Sequence, residues 1–169
     1  MPITADDVLE FHAARLLLLF RLCGTKNRIE GLTKMAKLDF FVRYPEFFER
    51  ASAHLRKGLA HRNRAVESSM VRHHYGPWDK RYYHVLAYLE GKGLLTVNKT
   101  GVTFLFELTP LGRSAADALT GTDAFRTLTE QMKAVKKVLG NKNGSALKTL
   151  IYELFEREVA EKPLGEVIG

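Results

Sequence analysis

The chain has 169 residues, 26 Lys+Arg, 19 Asp+Glu and a single Cys, for a net charge of +7. Its 46% apolar and 27% charged residues exclude global disorder, and 13 Gly with 5 Pro exclude collagen-like or Pro-rich architecture. One Cys excludes an intramolecular disulfide and a Cys-rich zinc site.

The N-terminus, MPITADDVLEF, is acidic rather than basic, so no secretory signal is expected. Asp6 and Asp7 suit the positive end of a helix dipole, and Thr4 or Asp6 can cap it. Val8, Leu9, Ala13, Leu16, Leu17, Phe20 and Leu22 then predict a first helix that stops at Gly24, with Cys23 packed near its end. The run Leu16–Phe20 is apolar all round, which predicts a buried helix. It is far shorter than the about 20 residues that span a bilayer, so no membrane partner and a cytoplasmic location are expected.

A second helix is expected over residues 29–42, where Ile29, Leu32, Met35, Ala36 and Phe40 form one stripe. Pro45 interrupts it and can start a third helix to Leu59, with Phe47, Phe48, Ala51 and Leu55 on the apolar side. His54–Arg64 (HLRKGLAHRNR) holds no acid and reads as a basic loop. Residues 67–75 suit a short strand or extended segment, and Gly76-Pro77 signals a turn. Asp79 can cap a helix to Gly91, with Tyr82, Val85, Leu86 and Leu89 facing inward. A hairpin follows: Leu95–Asn98, a turn at Lys99-Thr100-Gly101, and Val102–Leu108 in alternation. Thr109-Pro110 starts a helix over 111–119, and Gly121 ends it. Phe125, Leu128, Met132, Val135 and Leu139 mark a helix over 123–139. After the Asn-Lys-Asn-Gly loop, Ser145 caps a last helix to Ala160, carrying Leu147, Leu150, Ile151, Leu154 and Phe155.

Residues 1–49 hold seven bases and seven acids, and residues 101–169 hold nine of each. Residues 50–100 hold ten bases against Glu67, Asp79 and Glu90, so the whole excess lies in the middle third. A localised excess points to a polyanion surface. Arg56, Lys57, Arg62, Arg64, Lys80, Arg81 and Lys99 are the expected contacts to the phosphates of double-stranded DNA.

The segment LEGKGLLTV…GVTFLFELTPLGRSAADAL, Leu89 to Leu119, is similar to the half-domain of MarR-like and PadR-like transcription regulators. The resemblance implies a winged helix, with the hairpin as wing and Asp79–Gly91 in the recognition-helix position. The expected fold is mostly α: a winged helix-turn-helix over 1–120 with a basic insert at 44–77, followed by a C-terminal helical pair over 121–169. The insert spans residues where a small winged helix has only a short turn.

LTKMAKLDFFVRYPEFFERA (Leu32–Ala51) together with VESSMVRHHYGPWDKRYYHVLAYLEGKGLL (Val66–Leu95) resembles the middle component of bacterial ABC-three-component systems. KLDFFVRYP and VRHHYGPWDKRYY carry that likeness. It implies a small non-catalytic adaptor between an SMC-like ATPase and an effector subunit, often a nuclease, in Lamassu-like anti-phage defence. The alternative is a homodimeric winged-helix transcription regulator.

No enzyme, cofactor or metal is expected. The chain has no G-x-x-x-x-G-K-[ST] and no H-E-x-x-H, and Ser68-Ser69 lacks a nucleophile-elbow context. His73 and His74 are adjacent and point apart, which suits no metal with His84. Two apolar groups are expected to reach a partner or a second copy. Phe40, Phe41, Tyr44, Phe47 and Phe48 crowd nine residues, and adjacent members diverge by about 100° on a helix. The cluster either forms a core shared by the first three helices or turns some members, Phe41, Tyr44 and Phe48, toward a partner. The C-terminal helices contribute Phe125, Met132, Leu150 and Leu154.

Overall fold

The structure, a computed structural model, describes residues 8–56, 70–73, 76–155 and 167–168. It is mostly helical, in the order α1 (Leu9–Cys23), β1 (Arg28–Glu30), α2 (Leu32–Arg43), α3 (Pro45–Arg56), β2 (Met70–His73), β3 (Gly76–Trp78) and α4 (Tyr82–Gly91). Then come β4 (Leu95–Thr100), β5 (Thr103–Leu108), α5 (Pro110–Thr120), a 3-10 turn at Asp123–Phe125, α6 (Arg126–Leu139), α7 (Gly144–Phe155) and β6 (Val167–Ile168). No helix among these residues is long and apolar enough to cross a membrane.

Helix α1 is the axis of the molecule. Leu16, Leu18, Leu19 and Phe20 are fully buried because α4, α5 and α6 each pack on a different side of it. An apolar run without a polar side finds a place only where neighbours surround it.

The stretch after α1 departs from the expected helix over 29–42. Lys26 (φ 54°) and Asn27 (φ 62°) adopt left-handed backbone, which no helix continues through. The Thr25 N–H donates to the Arg28 carbonyl at 2.9 Å and closes a tight turn. Arg28–Glu30 then add a third strand, with Ile29 opposite Phe106 and buried. The sheet order is β1–β5–β4, antiparallel throughout. Helix α2 begins only at Leu32, after Gly31 at φ 96°.

Tyr44 leaves the helical region (φ −125°, ψ 78°), and Pro45 opens α3 as expected. Gly76-Pro77 lies in β3 instead of forming a turn, pairing with β2, which pairs in turn with β6. Val102 sits at the tip of the β4–β5 hairpin, outside the strand, and is 92% exposed. The Thr109 hydroxyl accepts from the Gly112 N–H at 2.9 Å and starts α5. Gly112 is required there: a Cβ would lie 2.0 Å from the Leu94 carbonyl oxygen. The cap of α7 is Asn143, whose Oδ1 accepts from Ala146 N at 2.8 Å, in place of Ser145.

The apolar stripes of α6 and α7 close the core. Met132, Val135, Leu139 and Leu147 are fully buried, with α6 on α1 and α7 on α2 and α3. The expected interface residues Phe41, Tyr44, Phe48, Met132 and Leu150 are thus core residues of this chain. Phe125 and Leu154 are partly buried against the same cluster, and Phe125 stacks on Phe11 with ring centroids 5.9 Å apart.

Candidate interaction surface around helix α4

Helix α4 is held at its start by a buried ionic network. Asp79 precedes it, and its carboxylate accepts from Arg43 Nη1 at 2.6 Å, Arg81 Nη2 at 2.6 Å and Arg81 Nε at 2.9 Å. It also accepts from the Arg81 backbone N–H at 2.9 Å in the turn ahead of the helix. The N-cap is Arg81, with no side-chain cap, so Asp79 anchors the start of α4 rather than capping it as expected. Asp39 on α2 takes a hydrogen bond from the Tyr82 hydroxyl at 2.6 Å and from Arg15 Nε at 3.0 Å. Arg43 lies 3.7 Å from Asp39 and bridges the two carboxylates. His12 faces Arg15 Nη1 and Arg81 Nη1 at 2.6 Å each; a neutral imidazole has one acceptor nitrogen, so it takes a hydrogen bond from one of the two.

The electrostatics follow from burial. Burial pushes the Asp79 carboxyl up, but the Arg81 hydrogen bonds and the Arg43 charge outweigh it and hold the group well below the usual carboxylate range. Arg43 is pushed down by burial and up by Asp39, Tyr82 and Asp79, which prevail. The Tyr82 hydroxyl is raised well above its ordinary value by burial and by the Asp39 charge. Both carboxylates are committed to guanidinium partners, so the network fixes α4 against α1 and α2.

With Tyr82, Val85, Leu86 and Leu89 turned inward, α4 shows Tyr83, His84, Ala87 and Glu90 to solvent. The sheet extends beyond the core over this helix. Val97 and Lys99 on β4 pair with Phe106 and Phe104 on β5, all on the face toward α4. Phe106 is buried, whereas Val97 and Phe104 overhang. Leu32, Tyr83, Leu86, Ala87, Val97 and Phe104 thereby line an apolar groove of about 180 Å³, with Glu90 at the C-terminal end of its helical wall. The Lys99 ammonium sits over the Phe104 ring, 5.6 Å from its centroid.

Of the expected phosphate contacts, Lys80 and Lys99 are exposed, Lys99 beside the groove over Phe104. Arg81 is turned in toward Asp79 and His12 instead. Lys57, Arg62 and Arg64 lie outside the described residues, as does the Arg56 side chain. The structure therefore leaves Lys80, just before α4, and Lys99, on β4, open to solvent and withdraws Arg81.

Sequence reasoning assigned Asp79 a cap and missed Arg15, Asp39, Arg43 and His12. Their signal was present: Arg15 adjoins an apolar run, and Asp39 with Arg43 stands at i, i+4 inside the most apolar stretch of α2. Charges embedded in apolar sequence are buried with partners or not at all.

Comparison with protein-family models, curated proteins and solved structures finds no match to this chain.

Proposed function

We propose that this chain is a non-catalytic winged-helix adaptor that docks a protein partner on the groove between α4 and the β4–β5 wing. The element order α1, β1, α2, α4, β4, β5, with β1 on the free edge of β5, supports the winged-helix reading. α3, β2 and β3 form the insert between α2 and α4.

The observation that carries the docking role is the chemistry of the α4 face. A helix that reads bases presents Arg, Lys, Asn or Gln to their edges. Here the outward positions are Tyr83, His84, Ala87 and Glu90, above an apolar groove, and Tyr83 is 64% exposed. Such a groove suits an apolar anchor from another protein. The likeness of residues 32–51 and 66–95 to the middle component of ABC-three-component systems gives the partners their class: an SMC-like ATPase and its effector. Lys99, beside the groove, and Lys80, exposed before α4, add duplex DNA contacts within that complex.

Those two lysines and the basic middle third also favour a second reading, a homodimeric DNA-binding transcription regulator. One experiment separates the two. Tyr83→Asp with Ala87→Glu should leave the Tm within about 2 °C of the parent, because both side chains are exposed. Co-purification with ATPase and effector subunits encoded beside this chain should fall at least about tenfold. Retained assembly in the Tyr83/Ala87 variant would overturn the groove as the docking site. A parent chain that does not co-purify with those subunits, with duplex binding lost in Lys80→Ala/Lys99→Ala, would overturn the adaptor and leave the regulator.

A further inference from the structure

The opposite face of the β1–β5–β4 sheet carries a cleft of different chemistry. Arg28, Thr103 and Thr100 alternate outward where Ile29 and Phe104 alternate inward. The cleft over these residues holds about 430 Å³ and joins a second of about 650 Å³, with Glu30, Lys34 and Thr103 common to both. The far wall of the second is formed by Asn143, Ser145 and Lys148 at the start of α7.

Positive charge accumulates in this place. The Lys34 ammonium is held at the cleft by the Gly140 carbonyl at 2.9 Å. Burial, then repulsion from Lys136, lowers its pKa. Lys37, buried one turn further along α2, is pushed down to about 7 by burial and by the Lys148 charge. Arg28, exposed at the mouth, makes no side-chain hydrogen bond or ion pair among the described residues. The described lining holds Arg28, Lys34 and Lys148 against one carboxylate, Glu30, while Glu107 stands opposite Arg28 on the same face of the sheet just outside the lining.

The backbone adds to the imbalance. α2 and α7 begin side by side: a Cβ on Gly144 would lie 3.1 Å from the Lys34 backbone nitrogen and from Thr33 Cβ. α2 has no side-chain cap at Gly31. Asn143 caps α7 with its own side chain, so the uncapped start is that of α2, and its positive pole opens toward the cleft beside Lys34. No aromatic ring lines the cleft among the described residues, so it offers nothing to stack a nucleobase.

We propose that this cleft binds a phosphate group, held by Lys34, Lys148 and Arg28 at the paired starts of α2 and α7. The phosphate belongs either to a free polyphosphate or to the backbone of a nucleic-acid strand laid along the outer face of the sheet. The site is separate from the α4 groove and stands whether or not a protein docks there.

The test uses the full chain, sodium pyrophosphate as one probe and a 20-nucleotide single strand as the other, with sodium sulfate at equal ionic strength as control. The variant is Arg28→Gln/Lys148→Gln, checked for an unchanged melting curve before titration. Pyrophosphate should bind more tightly than sulfate, shift the amide resonances of Thr33, Lys34 and Ser145, and lose about tenfold in affinity in the variant. If the oligonucleotide displaces pyrophosphate and weakens likewise in the variant, the source is a nucleic-acid strand. If it does not displace pyrophosphate, the source is a free polyphosphate. Absence of binding by both probes, affinity equal to that of sulfate, or affinity unaffected by the variant would overturn the proposal. Should the double variant melt early, Arg28→Gln alone and the amide shifts of the parent chain decide it.

Discussion

At the scale of single residues, the most consequential groups are charges that the fold has buried. Arg43 is fully enclosed, and its nearest carboxylate is Asp79, 2.6 Å away. Removing one partner of a buried pair strands the other, so Asp79→Asn should cost about 3–5 kcal/mol in a denaturant titration. The same group sets an acid limb. Its folded pKa is depressed, so its contribution is present above the unfolded value near 4 and is lost as pH falls toward the folded one. The fall in stability between about pH 5 and 2 should be shallower in Asp79→Asn than in the parent.

Lys37 gives a second window at higher pH with the same direction of slope, here because burial penalises its charged form. Its folded pKa of about 7 lies below the unfolded value of about 10.4. Between these values the unfolded chain holds a proton that the folded chain lacks, so stability rises with pH across that window. Lys37→Met should flatten that rise, measured by urea unfolding at pH 7, 8.5 and 10. A parent chain with no slope there would contradict the assignment.

At the scale of elements, the aromatic cluster and the β4–β5 hairpin behave in contrasting ways. Two helices meeting at Tyr44-Pro45 could bury only part of Phe40, Phe41, Tyr44, Phe47 and Phe48. In the fold all five are buried, because further helices close over α2 and α3. α6 reaches across so that Gln131 Nε2 donates to the Phe41 carbonyl at 3.1 Å. Phe40 meets Phe41, Tyr44 and Phe47 with ring centroids 5.2–5.3 Å apart. Phe41→Ser and Phe48→Ser should each cost about 3–5 kcal/mol, with no variant of the five behaving as a surface change. Val102 at the hairpin tip is the internal contrast. Val102→Ser should change stability by less than about 0.5 kcal/mol in the same assay.

At the scale of the whole molecule, one hydrophobic cluster runs from α1 through α6 and α7. The C-terminal helical pair is therefore part of the support for α1 and α2 and not a detachable interface. Truncation after Thr120 would uncover Leu16–Phe20 on the α6 side and the α2 face that α7 covers. The shortened chain should aggregate or lose cooperative unfolding, seen by gel filtration and near-UV dichroism. A folded monomer of residues 1–120 would show that α1–α5 and their sheet are self-sufficient.

The sequence by itself determined what periodicity and local chemistry can carry. It located α1, the Pro45 start of α3, the inward face of α4, the β4–β5 hairpin and the stripes of α6 and α7. It did so because a side chain's place on its own helix or strand is a local matter. β1 escaped, since three residues show no period and Ile29 also continues the stripe of α2. Only tertiary structure decided where each face is spent. The stripes of α6 and α7 could have met a partner, yet they cover α1 and α2, because an apolar face is blind to which apolar surface buries it. Arg81 and Lys80 are adjacent and alike in sequence. Asp79, reached through the packing of α2 against the start of α4, turns one inward and leaves the other to solvent. The phosphate cleft is likewise a product of packing, since Lys34 and Lys148 lie more than a hundred residues apart and meet only where α2 and α7 begin together.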